Sequence, residues 1–596
     1  RMVEHYALYE AQCQREGVVD FGELLLRSYE LLETRPPLRD HYRQRFTHLF
    51  VDEFQDTNVL QYRWLQMLTG VEASVFAVGD DDQSIYAFRG ANVGNMQRFE
   101  RDFARPGHPV QIVKLEQNYR SHGYILDAAN ALIRHNQARM GKNLWTEAPR
   151  GEPLSVFAAD NDFEEAQFVT DTAKEQAGEG VSLSDIAVLY RSNAQSRVLE
   201  HALFSAGLPY RVYGGLRFFE RAEIKHALAY LRLMASPDDD GALLRIINFP
   251  PRGIGARTLE QLQESARAQG VSLWQAACSG AAGGKANIAA FIQLIEKCRS
   301  DAAPLPLPEM IEQMLETSGL NAHYRQEREG EERLQNLGEL ISAARLFLEE
   351  REPSSRDEDN PVVDNNTATL IAFLTHAALE AGDTQAGEGH PALQLMTMHA
   401  AKGLEFHTVF ITGLEEGLFP HENSLQEANG LEEERRLMYV AITRARRCLY
   451  LTYAQTRRLH GQPRYSLPSR FFAELPSELL QWLSPSPRAD RRYRQTFYDD
   501  DAVPSSTSRS RSSPSTTRGR NANTSTVPRV NSPKPLPSIH TCAGNFRIGQ
   551  SVRHAKFGQG MIVDAEGGGN DTRVQINFRD HGLKWLSLAH TTLEEM

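Results

Sequence analysis

Apolar runs alternate with polar clusters along this chain, and several runs have the length and composition of buried parallel strands. One run, built on Phe46, Leu49 and Phe50, leads into the octapeptide VDEFQDTN at 51–58. Further strands are predicted at Ala73–Val78, Val110–Leu115, Ile186–Leu189, Leu393–Met396 and Leu449–Tyr453. Open α/β sheets bind ligands at the carboxyl ends of their strands, so the polar clusters that follow these runs predict one functional crevice.

Asp52 and Glu53 form an acidic pair directly after the first predicted strand. In a nucleotide hydrolase the first acid of such a pair holds Mg²⁺, directly or through water, and the second orients the attacking water. A solvated pair of loop carboxylates is the alternative. The rest of the octapeptide, and the clusters that follow it, favour a Walker B element.

The later clusters carry amide, aromatic and basic side chains. They are GDDDQSIYAFRGA after the second predicted strand, then EQNYRS, YRSNAQSR, TMHAAKGLEF and the predicted helix EEERRLMYVAITRAR. In this order they resemble the motifs of superfamily 1 DNA helicases of the UvrD/PcrA type, over nearly the whole chain. The resemblance implies an α/β fold with two RecA-like parallel-sheet motor domains, the first incomplete. It also implies an ATP- and Mg²⁺-dependent helicase that moves 3′ to 5′ along single-stranded DNA in nucleotide excision and mismatch repair.

The resemblance also divides the chain into segments. They are a remnant of the helical 1B subdomain (1–45), the C-terminal part of the first motor domain (46–112), the second motor domain (113–209 and 390–484), its helical 2B insertion (210–389), a disordered linker (485–544) and a small SH3- or Tudor-like barrel (545–596). The linker is rich in Ser, Pro, Thr and Arg, a composition that buries too little apolar surface to fold. An acidic stretch within 353–366 is predicted to be a solvated loop.

A phosphate-cradling GxxxxGK[ST] loop is expected in such an enzyme. The chain contains no match, because the Gly-Lys pairs at 141–142 and 284–285 are followed by Asn and Ala. The chain also starts with Arg1, in what looks like the middle of a helical subdomain. We therefore expect the sequence to be a fragment of a larger enzyme that carries this loop.

The resemblance assigns five residues to the nucleotide. Gln83 would sense the γ-phosphate, and Arg120 and Arg444 are candidate arginine fingers, since phosphoryl transfer gains from fixed positive charge. Tyr119 resembles the tyrosine that stacks on adenine, and Glu405 resembles the acid that binds the ribose hydroxyl. Surface ion pairs, packing and capping are the alternatives for such residues.

Tyr86, Phe88 and Arg89 interleave aromatic rings with a cation, a pattern typical of single-strand binding. Core packing is the alternative for both rings. Three further residues resemble single-strand contacts: Tyr190, Arg191 and His399, the last with a hydrogen-bonded spacer as its alternative.

Gly253, Ile254 and Gly255 follow a Pro-Pro break and precede the helical pattern ARTLEQL. A Gly-Ile-Gly turn at a helix N-terminus exposes backbone N–H groups to a phosphate. The turn resembles the duplex-contacting hairpin of the 2B insertion, and a simple helix start is the alternative.

Composition adds limits. The 596 residues suffice for several domains, and the net charge of −12 means that DNA affinity must come from a local groove. The five cysteines lack metal-ligand or disulfide spacing, which fits a reducing cytosol. The barrel suggests docking to repair proteins or RNA polymerase. A Rep-like replication helicase and a non-catalytic DNA- or partner-binding fragment stay as alternatives.

Without the phosphate-binding loop, residues 1–596 should show negligible ATPase and no unwinding, with at most weak, salt-sensitive single-strand binding. Catalytic groups act only on phosphates held in register, and a misplacement of about 1 Å can cost on the order of 100-fold. Phosphate release by the purified chain, with and without single-stranded DNA, checks this. DNA-stimulated hydrolysis would contradict both the fragment hypothesis and the role given to the loop.

Overall fold

The computed structural model describes residues 2–484, except 107–108, 138, 214–215, 280–285, 328–329, 352–365, 383–389, 428 and 460–461. Beyond 484 it describes residues 538–541, 544–547, 550–566, 573–578, 582–588, 591 and 593–595. The chain divides into two compact units: residues 1–454, 458–463 and 468–481 form the first, and residues 455–457, 464–467 and 482–596 form the second.

The α-helices are α1 Met2–Glu16, α2 Phe21–Thr34, α3 Pro36–Arg45, α4 Val59–Leu68, α5 Gly94–Phe103, α6 Gly123–Ile133, α7 Asp162–Gly178, α8 Ser196–Ser205, α9 Ala222–Ala235, α10 Asp240–Ile246, α11 Ala256–Gln269, α12 Leu273–Cys278, α13 Ala286–Ala302, α14 Leu307–Thr317, α15 Leu320–Tyr324, α16 Gly330–Arg351, α17 Asn366–Gly382, α18 Glu422–Leu425, α19 Gly430–Ile442 and α20 Phe471–Glu474. The first three confirm the predicted helical start of the chain. None of the helices in the described ranges is long and apolar enough to cross a membrane.

The strands are β1 His48–Val51, β2 Ser74–Ala77, β3 Leu154–Asn161, β4 Ile186–Tyr190, β5 Tyr210–Val212, β6 Leu393–Thr397, β7 Phe406–Ile411, β8 Ala445–Leu459, β9 Gln462–Tyr465, β10 Leu480–Trp482, β11 Ser538–Thr541, β12 Gly544–Arg547, β13 Ser551–His554, β14 Gly558–Glu566, β15 Arg573–Phe578, β16 Gly582–Ser587 and β17 Leu593–Glu595.

Strands β1 and β2 form a small parallel sheet, as predicted. One face packs on Phe54 and Tyr62, and α4 starts there at a capping box between Asn58 and Gln61. The prediction of a buried strand was wrong for the other face. Phe50 is 75% exposed and stacks on Phe76, with ring centroids 5.0 Å apart, because no described segment covers this face.

The strand predicted at Val110–Leu115 is absent. These residues are described but form no ladder with β1 or β2, and Val113 and Leu115 are exposed. An apolar run becomes a strand only where a neighbour supplies a ladder of backbone hydrogen bonds, and no described strand pairs with this run.

A larger parallel sheet forms the centre of the first unit. Its strand order is β10-β3-β8-β7-β4-β6-β5, and β4, which is buried throughout, lies between β6 and β7. The predicted strands at 186–189, 393–396 and 449–453 are confirmed. The predicted helix that precedes β8 ends at Ile442, so Arg444 lies in the turn between α19 and β8.

Helices α9 to α17, in the segment predicted to be a helical insertion, pack around one apolar core. The start of this insertion differs slightly from the expectation, because Tyr210–Val212 pairs with β6 and belongs to the parallel sheet. The predicted acidic loop at 353–366 lies almost wholly outside the described residues.

The C-terminal residues form an antiparallel sheet of order β16-β15-β14-β13-β17. Its core contains Val552, Ile562, Val574, Ile576 and Phe578. Most of the predicted linker lies outside the described residues, but its last part contains β11, which pairs with β12.

Candidate functional site

The strand ends of the small sheet carry the acidic pair and the glutamine motif. Val51 at the end of β1 pairs with Ala77 at the end of β2. The segment that begins at Asp52 and the segment that contains Asp80 therefore leave the sheet at the same edge. Gln55 joins the two segments: its Oε1 accepts the N–H of Asp80 at 2.9 Å, and its Nε2 donates to Glu53. The buried Gln55 therefore fixes both segments at this edge.

Glu53 has a left-handed backbone, with φ 49° and ψ 43°. This conformation costs a non-glycine residue roughly 1–2 kcal/mol, and such residues cluster at functional sites. The turn is held by Asp52, whose Oδ1 accepts the Glu53 N–H at 2.9 Å. No other hydrogen bond to Asp52 occurs within the described chain, so this exposed carboxylate has an oxygen available for a hard cation such as Mg²⁺.

Lys402, from the second parallel sheet's KGLEF segment, reaches this edge. Its Nζ lies 2.6 Å from Asp56 Oδ2 and 3.4 Å from Glu53 Oε2, and it donates to the carbonyl oxygen of Gln83 at 2.9 Å. The Lys402 side chain is only 8% exposed. Burial raises the pKa of Asp56, and the hydrogen bond from Lys402 opposes this. One ammonium group thus joins the Walker B segment, the glutamine motif and the second sheet.

Arg120 and Glu405 contact each other. Arg120 Nε donates to Glu405 Oε2 at 2.6 Å, and the guanidinium lowers the pKa of Glu405. Arg444 is buried, and its guanidinium donates to backbone carbonyls that include that of Leu404. Burial, and next the charge of Arg120, lower the pKa of Arg444 to about 10, so Arg444 stays charged at neutral pH. The structure therefore brings both predicted fingers and the predicted ribose acid together.

The two remaining residues predicted to bind the nucleotide, Tyr119 and Gln83, differ in their exposure. Tyr119 is 85% exposed, with its hydroxyl donating to Gln117 at 2.9 Å, so one ring face is accessible to a planar ligand. Gln83 is half-buried, and its Nε2 donates to Asp80 Oδ2 at 2.7 Å. Its amide is therefore oriented before any ligand arrives.

The predicted single-strand residues Tyr86, Phe88, Arg89 and His399 form one ring cluster. The Phe88 ring centroid lies 6.0 Å from that of Tyr86 and 5.6 Å from that of His399. The Arg89 guanidinium carbon lies 5.3 Å and 5.4 Å from the centroids of Tyr86 and Phe88. Phe88 is 66% exposed, which favours stacking over core packing for this ring. Burial, and next Arg191, lower the pKa of His399 to about 4, so His399 is neutral at pH 7.

Tyr190 and Arg191 lie in different surroundings. Tyr190 is fully buried among the core residues of the parallel sheet, which is incompatible with a direct side-chain contact to DNA in this conformation. An apolar strand fixes alternate side chains in the core whatever their polarity. Arg191 leaves the sheet beside His399 and pairs with Glu434, Nη2 to Oε1 at 2.8 Å. Burial opposes ionisation of Glu434, but the bond from Arg191 helps keep its pKa below the usual value.

The Gly253-Ile254-Gly255 turn does precede helix α11, as predicted. Gly253 has φ +72°, a conformation that favours glycine. Ile254 is buried, and its N–H donates to Asn248 Oδ1 at 3.0 Å. The Ile254 amide is therefore occupied, and at most the glycine amides are left for a phosphate.

Sequence reasoning assigned no role to four residues that join the two sheets: Lys402, Lys142, Arg139 and Glu433. Glu433 accepts the N–H of Ala87, next to the ring cluster, at 3.0 Å. Two of these four, Lys402 and Glu433, lie inside quoted motifs, and a lone basic residue among small apolar ones, as in HAAKGLEF, is a usable signal. Their partners lie far away in sequence, so the pairings had no local signal.

Two other groups bring possible metal ligands together: Asp80, Asp81 and Asp82, and the group His201, His376 and Glu380. In the first group, Lys142 and Arg139 already neutralise Asp80 and Asp82. In the second group, the nearby charge of Arg197 already acts on Glu380. We assign a metal to neither group.

Parallel sheets whose strand ends join an acidic pair, a glutamine, two arginines and a ring cluster are typical of α/β motors that act on nucleic acid. Comparison with known families gives matches to the UvrD/REP helicase N-terminal domain over residues 1–104, the UvrD-like helicase C-terminal domain over 113–456 and the PcrA/UvrD tudor domain over 548–591.

Similar proteins include DNA helicase II of Escherichia coli (strain K12), 46% identical over 599 residues, which cover 99% of this chain and 76% of that protein. DNA helicase II of Haemophilus influenzae is 44% identical, over 99% of this chain and 75% of that protein. The ATP-dependent DNA helicase PcrA of Bacillus subtilis (strain 168) is 38% identical, over 99% of this chain and 76% of that protein. The chain belongs to the UvrD/PcrA family of DNA helicases.

Phe88 and Tyr190 should respond to substitution in opposite ways. Phe88→Ala should cost roughly 1–3 kcal/mol of single-strand affinity with little change in melting temperature, because the ring is exposed. Tyr190→Ala should instead destabilise the fold by roughly 3–5 kcal/mol, as other buried aromatic truncations do. Oligonucleotide titration and thermal unfolding measure the two effects, with Tyr190→Phe as the control that keeps the buried ring. Unchanged affinity in folded Phe88→Ala protein would rule out the stacking role.

Proposed function

We propose that this chain forms the motor of an ATP-driven DNA helicase that moves 3′ to 5′ along single-stranded DNA. The observation that carries the proposal is the Lys402 contact, which joins Asp56, Glu53 and Gln83 at the edge of one sheet to the second sheet. A group that touches both sheets lets a change at the nucleotide alter their separation. Residues 1–596 contain no GxxxxGK[ST] sequence, so we propose that hydrolysis requires such a loop in addition.

Hydrolysis would take place at the acidic pair. Asp52, with an available carboxylate oxygen, would hold Mg²⁺, which when bound offsets the negative charge of the phosphates. Glu53 would accept a hydrogen bond from the attacking water and polarise it. Gln83 has two N–H donors; one is given to Asp80, which leaves the other for a phosphate oxygen.

The second sheet would supply the positive charge. Arg120 and Arg444 would stabilise the charge that develops on the transferred phosphoryl group. Arg120 is now bound to Glu405, so a ribose hydroxyl that takes the carboxylate would release the guanidinium for the phosphates. Tyr119, whose ring is exposed, would stack on adenine. Binding of the base and ribose would thus prepare the finger.

The DNA strand would cross the ring cluster of Tyr86, Phe88, Arg89 and His399. Tyr86, Phe88 and Arg89 follow Gln83 within six residues, and His399 precedes Lys402 by three. The proposed nucleotide site and the proposed strand site are therefore only a few residues apart in sequence. Glu433 holds the backbone at Ala87 to helix α19. Closing and reopening of the junction between the two sheets, at Lys402, would pass the strand across the rings, one cycle for each ATP.

We assign the parent protein to nucleotide excision and mismatch repair, and its C-terminal sheet to docking of repair proteins or RNA polymerase. The match to the PcrA/UvrD tudor domain over residues 548–591 supports this assignment over a Rep-like replication helicase. Titration of the isolated C-terminal residues 545–596 against candidate partners would test the docking role, and no binding to repair proteins or polymerase would argue against it.

In a form of the protein that also carries a phosphate-binding loop, Glu53→Gln should keep nucleotide affinity and lower turnover about 10²- to 10⁴-fold, because it removes the carboxylate that polarises water. Asp52→Ala should also weaken Mg²⁺-ATP binding. Steady-state hydrolysis and nucleotide titration measure both, with Glu72→Gln as the control, since Glu72 is an exposed acid of the same segment. A fully active Glu53→Gln enzyme would refute the assignment.

A further inference from the structure

A short segment of the second motor domain contacts all three acids of the GDDDQ motif. Arg139 binds Asp82 in a bidentate pair, Nε to Oδ1 and Nη2 to Oδ2, both at 2.6 Å. The N–H of Met140 donates to Asp81 Oδ2 at 2.7 Å, and Lys142 Nζ contacts Asp80 Oδ1. We call residues 139–142 the basic clamp.

The basic clamp is held by contacts within its own domain. Asn130 of helix α6 bonds both the N–H and the carbonyl oxygen of Leu144, at 3.0 Å and 2.7 Å. Lys142 Nζ also lies 5.4 Å from the centroid of the Tyr439 ring, which is buried on helix α19. Lys142 is therefore fixed by the helix that leads to Arg444, and its position reports the position of the second domain.

The clamp's ion pairs are partly withdrawn from water. The side chains of Arg139 and Asp82 are 12% and 1% exposed, and those of Lys142 and Asp80 are 17% and 21% exposed. Exposed ion pairs contribute little, but removing one partner of a buried pair leaves a charge without compensation. Loss of Lys142 should therefore disturb Asp80 more than loss of a surface lysine would.

Asp80 links the clamp to Gln83. One carboxylate oxygen of Asp80 contacts Lys142, and the other accepts the Gln83 Nε2–H at 2.7 Å. An ionised carboxylate has no proton to donate and can act only as an acceptor. It therefore binds the amide nitrogen of Gln83, and the amide oxygen points away. The orientation of Gln83 thus depends on the position of the Asp80 carboxylate, which is held by Lys142 and by the N–H of Asp82 at 3.0 Å.

We propose that Lys142 is a positioning residue for ATP hydrolysis, acting through Asp80 on the amide of Gln83. This proposal rests on the proposed role of Gln83 at the γ-phosphate. The second domain then sets the glutamine only while the clamp is engaged. Movement of the clamp would release Asp80 and disorient Gln83, so hydrolysis would depend on the separation of the two domains.

A double-mutant cycle tests the relay. In protein that carries a phosphate-binding loop, Lys142→Ala and Gln83→Ala should each lower kcat of DNA-stimulated hydrolysis by about 10- to 100-fold, the range expected for a misplaced group, with a smaller change in KM. Because Lys142 acts through Gln83, the double variant should be no slower than Gln83→Ala alone. Multiplicative losses in the double variant would show independent roles and overturn the proposal.

Three controls separate positioning from folding. Lys174→Ala, at an exposed lysine of α7 in the same domain, should leave kcat unchanged. Lys142→Arg, which keeps the charge, should recover most of the lost kcat, and rates are expressed per folded molecule from thermal unfolding. Normal kcat in Lys142→Ala, with an active parent, refutes the relay alone. A parent without DNA-stimulated hydrolysis would instead refute the proposed function.

Discussion

The ammonium group of Lys402 is the contact on which the arrangement of the site depends. It is nearly buried, and its partners Asp56, Glu53 and the carbonyl of Gln83 belong to the edge of the other sheet. A buried charge without partners would cost several kcal/mol, so the two sheets cannot separate at this point without new partners for Lys402. The strained backbone of Glu53 lies within the same contact.

The junction has an uneven distribution of charge. Cations of the second domain (Arg139, Lys142 and Lys402) meet acids of the first (Asp82, Asp80 and Asp56). The two domains therefore attract each other before any nucleotide is present. In the proposed function, a nucleotide would bring several negative charges to this junction and would compete with the acids for the same cations. Ligand binding would thus exchange partners rather than create a new interface.

Most of the fold could be predicted from the sequence, since helices and core strands carry strong periodic signals. The prediction was wrong where burial depends on distant neighbours: Phe50 and Val113 look like core residues but are exposed. For the site, the motif residues Tyr86, Phe88, Arg89 and His399 lie together, and their roles stay predictions. The single-strand contact predicted for Tyr190 does not fit the burial of its side chain, because a tyrosine at a motif position can equally fill a core. The pairing of Arg120 with Glu405, and the clamp on Asp80, join residues far apart in sequence and had no local signature.

The neutral state of His399 has a consequence for how a strand would be held. Burial keeps this imidazole uncharged at physiological pH, so among the rings beside Phe88 the histidine adds an apolar and polarizable surface without a fixed charge. The salt dependence of DNA binding scales with the number of phosphates that cations neutralise, and stacking of bases on rings does not add to that number. A track built mainly on rings, with Arg89 as its adjacent cation, would hold the bases mostly by stacking, so salt would act chiefly on the contacts between cations and phosphates. Such a track would suit the proposed motor, which would release and rebind its strand in each cycle.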